Sequence, residues 1–129
     1  MKKVVLADTC IWIEYFRTRS ALSEELKRLI QEGSIVTTGI VILELLHGAK
    51  SAKSKDLIKD TLLALPFLET TRDSWLLAGE IGHTLRRKGI TLPATDLLMA
   101  AIAKSNRCEV FTTDGHFKKI PDLDLYAPT

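Results

Sequence analysis

Cysteine is scarce in this chain of 129 residues, which holds only Cys10 and Cys108. Two thiols are too few for a disulfide scaffold, and a chain this long buries enough surface to do without one. A reducing cytoplasm is therefore the expected compartment. Aromatic residues make up 6% of the sequence, which predicts a mainly aliphatic core. No run approaches the ~18 consecutive apolar residues that a membrane-spanning helix needs. The apolar run at the start, Val4 to Ala7, meets Asp8 well short of the ~7–15 residues of a secretory signal, so it reads as a strand. Strong charge of one sign is missing too. Eighteen Lys and Arg face sixteen Asp and Glu, a formal +2 that excludes a strongly acidic protein and does not by itself announce a nucleic-acid binder. Repeats, low-complexity tracts and linkers are lacking, so residues 1–129 read as a single domain. What is present, 46% hydrophobic and 26% charged residues, suits an ordinary globular protein.

Short apolar runs and amphipathic stretches alternate along the chain. Val4-Val5-Leu6-Ala7, Ser34 to Thr38 and Glu109 to Thr113 read as strands, the first without the alternation of a half-exposed strand. Phe67-Leu68-Glu69 and Leu123 to Tyr126 are predicted as further short strands. Between them, Ile11 to Phe16, Ser20 to Gly33, Gly39 to Ala49, Lys53 to Leu65, Arg72 to Lys88 and Ala94 to Asn106 read as helices. In the fifth of these the apolar stripe includes Trp75, Leu76, Ala78, Gly79, Ile81, Gly82 and Leu85, which places Trp75 in the core. The alternation predicts an α/β fold: a three-layer α/β/α arrangement around a central, mainly parallel sheet of four or five strands. In such sheets ligands bind in the crevice beyond the carboxyl ends of the strands.

Acids stand at that end. Asp8 follows the first strand and Asp114 follows the strand of Val110 to Thr113; adjacent strands would turn both carboxylates into one crevice. Each alone reads equally well as a turn or cap residue. Glu44 sits inside Ile40-Val41-Ile42-Leu43-Glu44-Leu45-Leu46. A carboxylate in apolar surroundings must pair, hold a metal or stay protonated. The other reading rotates that helix so that Glu44 reaches the rim or a distant Arg. Asp96, in the first turn after Pro93, also suits a helix dipole. Carboxylates converging at ~5 Å repel by roughly 3 kcal/mol per pair at an effective dielectric of ~20. Such a cluster needs cations, and oxygen donors suit Mg²⁺ or Mn²⁺ rather than Zn²⁺. The chemistry that follows is phosphoryl transfer to metal-activated water, with no protein nucleophile.

Asp8-Thr9-Cys10, Glu44 in its apolar helix, the run from Thr95-Asp96 to Ala103, and Thr112-Thr113-Asp114-Gly115-His116-Phe117 together resemble the four acidic motifs of PIN-domain ribonucleases. The similarity is strongest to the VapC toxins of toxin–antitoxin pairs and spans essentially the whole chain. It implies a PIN-like fold and a Mg²⁺-dependent endoribonuclease, with Mn²⁺ as substitute, usually a homodimer and inhibited by a cognate VapB-type antitoxin. It further implies that Asp8, Glu44, Asp96 and Asp114 are the catalytic, metal-binding acids, with Thr9, Cys10 and Thr112 supporting them. Two positions depart from the family pattern. Cys10 stands where a serine is frequent, and His116 where many members carry another acid, so one Mg²⁺ is the expectation.

The remaining candidates carry less. His47, His83 and His116 do not form a zinc set with Cys10 and Cys108. His116, Arg86 and Lys50 are candidate substrate contacts, since phosphate contacts position RNA without reading its sequence. His116 equally suits a turn-stabilising role. Trp12, Tyr15 and Phe16 read as core or interface. Two other functions fit an Asp after the first strand. A haloacid-dehalogenase-like phosphatase would need an acid where Cys10 stands, and a receiver domain would need an acidic pair near Asp8. An inert PIN-fold binding module is the remaining alternative.

Overall fold

The computed structural model describes residues 3–128. Its elements run β1 (Val5–Ala7), α1 (Thr9–Arg17), α2 (Ala21–Gln31), β2 (Ile35–Thr38), α3 (Gly39–His47), α4 (Ala52–Leu63), β3 (Phe67–Leu68), α5 (Arg72–Arg87), α6 (Ala94–Ser105) and β4 (Glu109–Phe111), ending in a 3₁₀ turn at Gly115–Lys119. Serine and threonine set several helix starts. Ser20, Ser51 and Thr71 each cap a helix and exchange hydrogen bonds with a serine three residues on, satisfying donors that the first turn leaves free. Gly33 and Gly89 follow α2 and α5 with φ of 72° and 81°, a region that only glycine enters freely.

The strands form one parallel sheet in the order β3-β2-β1-β4. Val5, Leu6 and Ala7 are all fully buried although neighbouring side chains point to opposite faces. Both faces of the sheet are therefore covered, which makes three α/β/α layers. Successive strands add on one side of β1, and the chain then crosses over to place β4 on its other side. Strand order thus reverses between β1 and β4, the kind of switch point where α/β sheets leave a crevice.

Two expectations are corrected. Leu123 to Tyr126 makes only a single parallel bridge, Val110 with Leu125, instead of a fifth strand. Asp122, with φ of 60°, turns the chain just before it, and Pro128 lacks the N–H that would extend the pairing. Trp75 is also not in the core: it is 60% exposed, and Leu76 is 62% exposed. The buried face of α5 is Ser74, Ala78, Ile81 and Leu85, which spans consecutive turns of one stripe. Trp75 and Leu76 project about 100° and 200° away from it. At Gly82 a Cβ would come within 2.7 Å of Leu97 Cδ1, so this glycine lets α6 pack close to α5.

Candidate metal centre

Asp8 leaves β1 and caps α1 in extended backbone (φ −71°, ψ 159°). Its N–H donates to Phe111 O at 2.9 Å, continuing the β1–β4 ladder by one residue. Its carboxylate is held on both oxygens: Oδ1 accepts from Thr9 N at 2.8 Å and Oδ2 from Thr112 Oγ1 at 2.9 Å. Cys10 Sγ lies 3.5 Å from that same Oδ2 and from Thr112 Oγ1. Burial raises the Asp8 pKa above its ordinary value, against the pull of these hydrogen bonds, and the nearby Asp96 charge adds to the rise.

Asp114 enters from the other side of the strand switch. Thr112 Oγ1 accepts from its N–H at 2.9 Å while donating to Asp8, so one hydroxyl sets the spacing of both acids. Asp114 Oδ1 accepts from His116 N at 2.9 Å, which caps the 3₁₀ turn. Asp96, in the first turn of α6, faces the same turn: its Oδ2 lies 2.8 Å from His116 Nδ1. That nitrogen is also 3.3 Å from Asp114 Oδ1. Burial raises the Asp96 pKa most, and repulsion from Asp114 and Glu44 raises it further, while His116 acts in the opposite direction.

Glu44 is where expectation and structure differ most. It is exposed, because α3 buries Val41 and Leu45 and turns Leu43 and Glu44 outward. An apolar neighbourhood in sequence is not an apolar environment in space, and Leu43 beside it is 61% exposed. The carboxylate nevertheless belongs to the crevice. Thr9 Oγ1 donates to its Oε1 at 2.7 Å, and its charge reaches Asp96. Thr9 therefore ties α3 to the start of α1. A Thr9→Val variant, which keeps the shape and removes the donor, is expected to weaken divalent-cation binding roughly tenfold, read by titration calorimetry.

The fold thus gathers Asp8, Glu44, Asp96 and Asp114 at one end of the sheet, with Thr9, Cys10 and Thr112 touching them. His116, expected as a substrate contact or turn residue, enters the cluster through its ring. Lys50 is exposed just beyond α3, and Arg86 lines a shallow concavity along α5 with Gly79, Gly82, His83 and Arg87. Among the described residues, neither shares a hydrogen bond or ion pair with the acids. One ligand atom each from Asp96, Asp114 and His116 lies within 4.8 Å of the others, which would suit a shared cation. The donor set fits a divalent metal: oxygen-rich, partly buried and mutually repulsive, with the His116 imidazole beside the acids.

Known proteins share this fold. The family model of the PIN domain matches residues 5–123. Ribonuclease VapC11 of Mycobacterium tuberculosis is 30% identical over 122 residues, 91% of each chain. The structure of VapBC from Salmonella typhimurium bound to DNA superposes with a TM-score of 0.80 at 25% identity, over 98% of both chains. VapBC2 of Rickettsia felis bound to a promoter DNA fragment gives 0.82 at 24% identity, over 95% of this chain and 97% of that one. These matches leave the phosphatase and receiver alternatives without support. The chain belongs to the PIN-domain family, among the VapC ribonucleases.

Proposed function

We propose that this protein is a Mg²⁺-dependent endoribonuclease, with Mn²⁺ as a working substitute, and that Asp8, Glu44, Asp96 and Asp114 form its catalytic centre. The observation that carries the reading is their convergence across the β1–β4 switch, with burial and like charge raising the pKa of both Asp8 and Asp96. Bound there, the cation supplies neutralising charge and makes a water molecule a better nucleophile toward a phosphodiester. The protein supplies placement. Thr112 fixes the distance between Asp8 and Asp114, Thr9 holds the flexible Glu44 side chain inward, and the N-cap hydrogen bond from Thr9 N locks the Asp8 rotamer. Pre-set groups of this kind lower a barrier because they need not reorganise during reaction. Cys10 is not a nucleophile in this scheme; its thiol faces a carboxylate and two threonine hydroxyls.

The VapBC complexes among the similar structures support a cognate VapB-type antitoxin as partner, and the family resemblance implies a homodimer as the working form. The apolar side chains exposed on α3 and α4, Leu43, Leu57 and Leu63, offer surface for such contacts. Incubation with total cellular RNA tests the activity. Cleavage is expected with Mg²⁺ or Mn²⁺, to vanish in excess EDTA, and to return when the metal is restored. Cleavage that persists in EDTA would refute the assignment, and no cleavage under any metal would favour an inert binding module.

A further inference from the structure

We infer that His116 is itself a metal ligand through Nδ1, and that this nitrogen raises the site's affinity for Mn²⁺ relative to Mg²⁺. The inference rests on reading the crevice as a divalent-cation site. His116 stands where an oxygen donor would leave the centre all-carboxylate. Its backbone N–H is already bound to Asp114, so the residue is anchored before its ring is considered. The ring then presents Nδ1 to both acids, 2.8 Å from Asp96 Oδ2 and 3.3 Å from Asp114 Oδ1. A six-coordinate ion with bonds of about 2.1 Å places adjacent ligand atoms about 3.0 Å apart. These two separations straddle that value, and one ligand atom from each of the three residues lies within 4.8 Å of the others, which is compatible with their sharing one ion.

Donor chemistry gives the consequence. Mg²⁺ is hard, keeps its water and favours oxygen, whereas imidazole nitrogen binds later divalent ions more strongly. One nitrogen among carboxylates therefore shifts affinity toward Mn²⁺. The alternative is that His116 only bridges Asp96 and Asp114 as a counter-charge and swings away when the ion arrives. The two differ in whether nitrogen touches metal.

Electron spin-echo spectroscopy of the whole protein loaded with one equivalent of Mn²⁺ separates them. A directly bound imidazole imprints ¹⁴N modulation on the Mn²⁺ signal, and that modulation is expected in the unaltered protein. It should disappear in His116→Asp, where titration calorimetry should also show the ratio of Mn²⁺ to Mg²⁺ affinity falling on the order of tenfold. His47 and His83 provide the control, since modulation arising from them would survive the substitution. Bound Mn²⁺ without ¹⁴N modulation would overturn the nitrogen ligand and leave the carboxylate site standing. Failure of the unaltered protein to bind Mn²⁺, or binding unaffected by Asp96→Asn, would overturn the site and this inference together.

Discussion

Replacing Asp8 with asparagine is expected to slow RNA cleavage on the order of a thousandfold while leaving the fold in place. The two halves of this expectation have separate causes. Asparagine keeps a side-chain oxygen that can accept from Thr9 N, so the cap of α1 survives. Thr112 loses its acceptor at Oδ2, but its hydroxyl can turn and still accept from the Asp114 N–H. What is lost is the negative charge. Asp8 is 8% exposed, and burial disfavours its ionised form, so without a cation that charge is a burden on the folded state. Thermal melting should then show a crossing of effects. In EDTA, Asp8→Asn is expected to melt no lower than the unaltered protein. With Mg²⁺ or Mn²⁺, only the unaltered protein should gain stability, because a ligand stabilises the state that binds it. A variant that melts normally and still cleaves RNA would remove Asp8 from the chemistry.

The same arithmetic explains which parts of the site can be read from sequence. Asp8 and Asp114 are legible because both follow strand-like runs, and a parallel sheet puts such ends together. Strand pairing places Leu6 beside both Val36 and Val110, which is the register that reading requires. Asp96 is weakly legible, since an acid in a first helical turn is ordinary; its place on the helix before the strand that ends in Asp114, and the family pattern, single it out. Glu44 enters for a partly mistaken reason: the apolar run around it suggests burial, but periodicity within α3 turns it outward to the rim. His116 is placed by the family pattern, where many members carry another acid, but the contact of its ring with Asp96 and Asp114 is not legible. It lies on a short 3₁₀ turn, where no periodicity announces which way a ring will point. Its partner Asp96 is 20 residues away and meets it only because α6 leads back under β4.

The two tryptophans show the limit of stripe reading most plainly, and they should respond oppositely to truncation. Trp12→Ala is expected to destabilise the protein by about 3–5 kcal/mol, a large part of the ~5–15 kcal/mol that holds a typical domain together. Trp75→Ala should change stability by no more than about 0.5 kcal/mol, as for exposed positions away from special features. Both residues sit in apolar sequence on a helix, yet Trp12 is fully buried and Trp75 is 60% exposed. Trp12 packs at 5.6 Å from the Tyr15 ring and stacks at 5.9 Å on Phe16, so alanine there opens a void within an aromatic cluster. Its backbone N–H, which alanine retains, closes the first turn of α1 on Asp8 O at 3.3 Å, so the void lies one helical turn from that acid. Loss of Trp12 should therefore reduce cleavage even below the melting temperature. Trp12→Phe should be far milder, because the buried indole Nε1 has no hydrogen-bond partner among the described residues to lose. Urea unfolding followed by circular dichroism checks all three variants. Equal midpoints for Trp12→Ala and Trp75→Ala would show that α1 does not pack into the core in the way that fixes Asp8.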